Sequence, residues 1–187
     1  MILVFGGAYQ GKRDFALKKL APEIQGAPDN QATPENGTTE NGTTIEEKDI
    51  LDVPKLCMMA LDKNDQDLNY AVDAIVTEHA RGAKLIYGLD TYIRMMVERG
   101  LDSDKWIADF IKDAGKTSGP SGGDNPEGAG GECLLPIVIM NDVSQGLVPM
   151  DPEERAFREA NGRALIKLAE AADRVYRVFL GIENRIK

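Results

Sequence analysis

Short apolar runs alternate along the chain with longer amphipathic stretches, the pattern of a sheet covered by helices. Met1 to Phe5 is uninterrupted apolar sequence ending in Gly6 and Gly7, which predicts a buried strand. Ala83 to Tyr87, Leu135 to Met140 and Val175 to Leu180 read the same way, and Lys55 to Ala60 also reads as a strand. Between these runs the apolar period lengthens. Gly11 to Leu20 has helical composition, and Leu68, Ala71, Val72, Ile75 and His79 recur at helical spacing behind a capping Asp65 or Asp67. Leu89 to Gly100 carries a helical stripe. Ser103 to Ala114 does too, with Trp106, Ile107, Phe110, Ile111 and Ala114 on one side and Asp102-Ser103-Asp104 as its cap. A long helix is expected from about Asp151, marked by Phe157, Ala160, Ala164, Leu168 and Ala171. Strand and helix in alternation predict an α/β fold, a mostly parallel sheet flanked by helices.

Two stretches break the pattern. Residues 21–54 contain the tandem repeat Glu35-Asn36-Gly37-Thr38-Thr39, Glu40-Asn41-Gly42-Thr43-Thr44, and hold too few apolar residues to offset their ordering entropy. Asn36 and Asn41 match a glycosylation acceptor pattern, which carries little weight without a secretory signal. Residues 115–132 are rich in glycine and read as a flexible surface loop. Both are expected to be disordered insertions into a single folded domain. Removing them leaves a body of about 135 residues, an ordinary size for one domain.

Charge sharpens this division. The 187 residues hold 22 Lys+Arg and 31 Asp+Glu, for a net charge of −9. Glu23, Asp29, Glu35, Glu40, Glu46, Glu47, Asp49 and Asp52 face only Lys48 within 21–54, and Asp124, Glu127 and Glu132 face only Lys116 within 115–132. The acidity therefore belongs to the insertions and the body is expected to be neutral. The balance excludes a protein built to grip nucleic acid. No apolar run approaches the ~20 residues of a membrane span, and the N-terminus lacks a basic leader, so a cytoplasmic protein is expected. Cys57 and Cys133 are too few for a disulfide scaffold and read as free thiols. Met58-Met59 and Met95-Met96 read as core filler, and Arg185-Ile186-Lys187 as a solvated end.

The strongest chemical signal follows the first strand. Gly6, Gly7, Ala8, Tyr9, Gln10, Gly11, Lys12 and Arg13 match G-x-x-x-x-G-K, where a phosphate-binding loop must sit: after a buried strand and before a helix. Backbone N–H groups of Ala8 to Lys12 would point at a β-phosphate, and Lys12 would reach between the β- and γ-phosphates. Arg13 stands where Ser or Thr would place a hydroxyl on Mg²⁺.

A second segment carries a family resemblance. Ile137 to Pro149 (Ile-Val-Ile-Met-Asn-Asp-Val-Ser-Gln-Gly-Leu-Val-Pro) resembles the TNEVGxGIVP segment of the bifunctional adenosylcobinamide kinase/adenosylcobinamide-phosphate guanylyltransferase family. Arg155 to Arg163, Ala171 to Tyr176 and Gly181 to Lys187 continue the likeness, and Met1 to Lys12 resembles that family's MILVTGGARSGKS opening. The resemblance covers residues 1–20 and 134–187. It implies a RecA-like P-loop NTPase fold, a possible trimeric homo-oligomer, ATP or GTP as the nucleotide, Mg²⁺, and an adenosylcobinamide (corrinoid) substrate in cobalamin nucleotide-loop assembly. Carried onto this chain, it makes Gly6 to Arg13 the triphosphate loop, and Lys12 and Asp142 the catalytic candidates. Asp142 takes the place of the family's glutamate. Arg155, Arg158 and Arg163 fall on the family's arginine-bearing helix, and Asp142, Asp90 and Asp14 are the nearest carboxylates to a metal.

Three departures accompany the matches. Arg13 replaces the hydroxyl. The carboxylate the family has at the end of its middle strand is missing, with Asp90 standing two residues beyond Leu85-Ile86-Tyr87-Gly88. The single histidine, His79, lies late on an apolar stripe and reads as structural rather than as the family's guanylylated residue. The readings that follow are an adenosylcobinamide kinase with or without guanylyl transfer, a nucleotide-binding pseudoenzyme of the same family, and a P-loop-shaped scaffold.

Overall fold

The apolar run that opens the chain becomes the middle of a sheet. In a computed structural model, which describes residues 1–24, 45, 47–61, 83–116 and 136–187, β1 (Ile2–Gly6) pairs in parallel with β4 (Ile137–Asn141) on one side and β5 (Arg174–Phe179) on the other. Beyond β4 lie β3 (Leu85–Tyr87) and β2 (Ile50–Asp52), both parallel. β6 (Ile182–Arg185) closes the opposite edge as an antiparallel partner of β5. The six-stranded order is β2-β3-β4-β1-β5-β6. This mostly parallel α/β sheet is the arrangement of a P-loop NTPase-like fold. The expected helix over 68–79, His79, Cys133, the tandem repeat and most of the glycine-rich segment lie outside the described residues.

Alternate residues of each strand serve opposite faces, as the two-residue period of a strand requires. Leu3, Ile86, Val138 and Val175 join one core with α3 (Val53–Leu61), α4 (Leu89–Glu98), α5 (Ser103–Lys116) and α6 (Pro152–Ala171). Ile2, Val4, Leu85, Ile137, Ile139, Tyr176 and Val178 join a second core, covered by Phe15, Ala16, Leu20 and Ala21. Those four come from a short helical run: α1 (Lys12–Phe15), a π turn over Ala16–Leu20, and α2 (Ala21–Ile24). Strands buried on both faces have no polar alternation, which is why they read as continuous apolar sequence.

Helix ends follow local chemistry. Asp151 caps α6, its side chain accepting from Glu153 N–H, with Pro152 in the first turn. Asp102 Oδ1 accepts from Lys105 N–H at 2.9 Å, as the expected cap of α5. Met95 and Met96 are buried in the core, as expected.

Three expectations are corrected. Lys55 to Ala60 is not a strand; it lies within α3. The signal was local, since Asp52 Oδ1 accepts from Lys55 N–H at 3.1 Å and Pro54 occupies the first turn, its preferred helical position. The strand is instead Ile50–Asp52, inside the segment 21–54 assigned to an insertion, and α2 falls there too. Asp49 and Asp52 therefore belong to the folded body, with the Asp49 carboxylate 3.2 Å from Lys84 Nζ, so the body is more acidic than the sequence division suggested. Met58 is 70% exposed rather than core filler. Arg185, Ile186 and Lys187 are exposed, as expected of a solvated end, with Arg185 the last residue of β6.

The β5–β6 connection is a two-residue turn, Leu180-Gly181, with φ of 50° and 78°. Two positive φ values suit a type I′ turn, whose first position favours Asn over any aliphatic residue. Leu180 is 73% exposed and contributes no core burial there. Leu180→Asn should therefore stabilise the protein by about 1 kcal/mol, read as a rise in melting temperature; an unchanged or lower value would show that Leu180 is held by a contact of its own.

Candidate functional site

The chain leaves β1 toward β2 on one side, and leaves β4 toward β5 on the other, crossing β1. Ligands of parallel α/β sheets bind where such connections diverge, beyond the carboxyl ends of the strands. An open cleft of about 380 Å³ lies at that point, lined by Ala8, Tyr9, Gln10, Gly11, Lys12 and Arg13 with Asp14, Tyr87 and Asn141. The expected phosphate loop, the end of β3 and the end of β4 thus meet in one place.

Gly6 and Gly7 shape the loop from beneath its lining residues. A Cβ on Gly6 would stand 2.2 Å from the Val178 carbonyl oxygen, so only glycine lets β1 run this close to β5. Gly11 caps α1 with a left-handed φ of 83°. Gly181 N–H donates to the Gln10 carbonyl at 3.1 Å, which seats the β5–β6 turn on the loop.

Lys12 is only 5% exposed, and its Nζ donates to the Gly7 carbonyl at 2.5 Å. Burial pulls its pKa below the usual lysine value, with the negative charge of Asp90 opposing the shift. An ammonium held this way gains from an incoming anion, because the anion replaces the solvation it has lost.

Behind the cleft runs a buried polar chain. Asp90, in the first turn of α4, accepts from Asn141 N–H through Oδ1 at 3.2 Å and from Asn141 Nδ2 through Oδ2 at 2.9 Å. The Asn141 carbonyl accepts from Asn161 Nδ2 at 3.0 Å. Asn161 is wholly buried on α6, and its Oδ1 has no hydrogen-bond partner among the described residues. Tyr87, Asn141 and Asn161 were not singled out by the sequence. Asn161 had a signal available: it is a polar residue on the apolar stripe of α6, four positions after Phe157.

Asp142 is placed differently from expectation. Its N–H donates to the Gly6 carbonyl at 2.8 Å, which fixes it beside the loop, but the cleft wall is Asn141. Asp142 Oδ1 accepts from Ser144 N–H at 2.9 Å and from Ser144 Oγ, and Oδ2 lies 3.4 Å from Gln145 Nε2. Burial raises its pKa, but these hydrogen bonds and the Arg177 charge outweigh that and hold it below the usual carboxylate value. The arginines of α6 also face away from the cleft. Arg155 donates to the Pro149 and Met150 carbonyls, and Arg158 to those of Ser144, Gly146 and Leu147. Arg163 pairs with Asp104 and Glu159. They hold the turn after β4 and the neighbouring helix.

The side chains do not fit the Mg²⁺ that the family resemblance implies. Arg13 occupies the hydroxyl position, and its guanidinium lies 5.9 Å from the Tyr87 ring centroid. Both oxygens of Asp90 face Asn141, both oxygens of Asp142 face Ser144 and Gln145, and Asp14 is exposed beside Lys18. Among the described residues no three His, Cys, Asp or Glu side chains gather as a metal cluster would need.

A family model described as cobinamide kinase / cobinamide phosphate guanyltransferase matches residues 131–186. Over that segment the chain is similar to the cobinamide kinase/guanyltransferase family. The matched residues build β4, α6, β5 and β6, so they supply Asn141, Asn161 and the strand carbonyl that positions Gly6. The family's description is that of a transferase enzyme of cobinamide chemistry. No curated protein matches the chain by sequence. Among the described residues no helix is long and apolar enough to cross a membrane.

The depressed Asp142 carboxyl has a consequence for stability. A carboxylate whose pKa falls on folding stabilises the native state above its unfolded value of ~3.9, and that contribution disappears as pH falls through the lowered native value. Denaturation followed against pH should show Asp142→Asn losing stability at pH 7 and flattening the acid limb. An acid limb identical to wild type would show that Asp142 gains nothing from Ser144.

Proposed function

We propose that the protein is a nucleoside-triphosphate-dependent adenosylcobinamide kinase, acting in the cytoplasm where such nucleotides are made. The observation that carries this reading is the convergence of two separate segments. The G-x-x-x-x-G-K loop, outside the family match, is held in place by strands that lie inside it.

The chemistry asks little covalent work of the protein. A hydroxyl oxygen of the corrinoid side chain attacks the γ-phosphorus, the bond to the β-phosphate bridging oxygen breaks, and the nucleoside diphosphate leaves while the hydroxyl proton passes to solvent. What the protein supplies is position and charge. Loop N–H groups at the start of α1 face the phosphates, and Lys12 leaves the Gly7 carbonyl for the β- and γ-oxygens. Asn141, clamped by Asp90 and Asn161, forms the opposite wall beside the reacting phosphate. Transfer of GMP to the phosphorylated corrinoid is a separate activity whose nucleophile has no place among the described residues.

A second reading, a nucleotide-binding protein of the same family without turnover, is favoured by Arg13 at the hydroxyl position. Incubation with adenosylcobinamide and γ-labelled ATP or GTP separates the two. Label on the corrinoid supports the kinase, and label that never leaves the nucleotide removes it. In calorimetric titration Lys12→Ala should weaken triphosphate binding at least about tenfold, or ~1.4 kcal/mol. An unchanged affinity would place the nucleotide elsewhere.

A further inference from the structure

We infer that this site binds the triphosphate through side-chain cations in place of a divalent metal, with Arg13 as the substituting charge; the inference rests on the nucleotide-binding reading above. Three independent features point to it. Arg13 stands at the one loop position from which a hydroxyl would reach a phosphate-bound metal, and it lines the cleft. The carboxylates best placed to hold a metal are occupied by protein donors. Asp90 accepts from the backbone and side chain of Asn141, and Asp142 from Ser144 and Gln145. Freeing either would give up its hydrogen bonds to Asn141 or to Ser144 and Gln145. Finally, Arg13 has support on the far wall, where its guanidinium faces the Tyr87 ring at 5.9 Å.

A triphosphate needs its oxygens neutralised and held in one geometry, and a magnesium ion does both. A guanidinium brings one positive charge and five N–H donors in a rigid fork that matches two phosphate oxygens. Together with Lys12 it places two cations on one loop, while the only carboxylate among the lining residues, Asp14, is exposed and lies 3.5 Å from Lys18. The loop thus attracts a metal-free polyphosphate and offers a metal poor ligation.

The test is calorimetric titration of ATP into the full chain, once with excess Mg²⁺ and once with EDTA, for wild type and Arg13→Ser. Wild type should bind within about threefold in the two conditions. Arg13→Ser should lose about tenfold in EDTA and recover much of that loss in Mg²⁺, because the serine restores a metal-binding hydroxyl. Arg13 is exposed, so the variant should melt as wild type does, which separates lost binding from lost folding. Wild-type binding that collapses in EDTA, or an Arg13→Ser variant that binds as wild type without metal, overturns the inference and leaves the nucleotide reading standing. Absence of ATP binding in both conditions overturns both.

Discussion

The cleft depends on one close approach. β1 lies between β4 and β5, and at its end the Val178 carbonyl comes within 2.2 Å of where any Cβ on Gly6 would stand. A side chain there would drive β5 away or twist the loop off the strand, since packed backbone has no room to give. With glycine the loop leaves β1 at a fixed angle, and Gly6 and Gln10 offer their carbonyls to Asp142 and Gly181. The loop is thereby tied to both neighbouring strands before any ligand arrives. Lys12 and Arg13 inherit their positions from that anchoring.

A second constraint sits behind the loop. Buried polar groups are costly unless hydrogen-bonded, and a bond to a charged group contributes about 1.5–3 kcal/mol. Asp90, Asn141 and Asn161 hydrogen-bond in series across α4, β4 and α6, joining the two helices to the strand that forms the cleft wall. The same face is reinforced further out, where Arg94 makes a two-point pair with Glu154 and lies 4.0 Å from the Phe157 ring centroid. Arg155 and Arg158 then clamp the carbonyls of the turn after β4, so its exposed Leu147, Val148 and Met150 are carried on a braced backbone. The arginines of α6 thus serve the shape of the turn and the neighbouring helix.

The glycine-rich loop after β1, the long helix from Asp151 and most strands of the sheet were legible in the sequence. Each is declared by local chemistry: a glycine run after an apolar strand, a capping aspartate before a proline, an apolar run of strand length. Lys55 to Ala60 was misread because a short apolar run fits a buried strand and a buried helix equally, and the Asp52-Val53-Pro54 start was the deciding signal. Ile50–Asp52 was hidden because three residues in acidic surroundings carry no usable period, yet pairing with β3 makes them a strand.

The sequence by itself determined that a G-x-x-x-x-G-K loop would follow a buried strand, and that Arg13 would stand where a hydroxyl is expected. It also carried the family segment that forms the other half of the sheet. Only the tertiary structure decided which carboxylates are free. Asp90 and Asp142 look alike as candidate metal ligands along the chain, but Asp142 is occupied by Ser144 of its own turn, whereas Asp90 is occupied by Asn141, which the fold brings to it from β4. The difference is physical: residue type fixes what an atom is able to bind, whereas the packing of distant segments fixes what it has already bound.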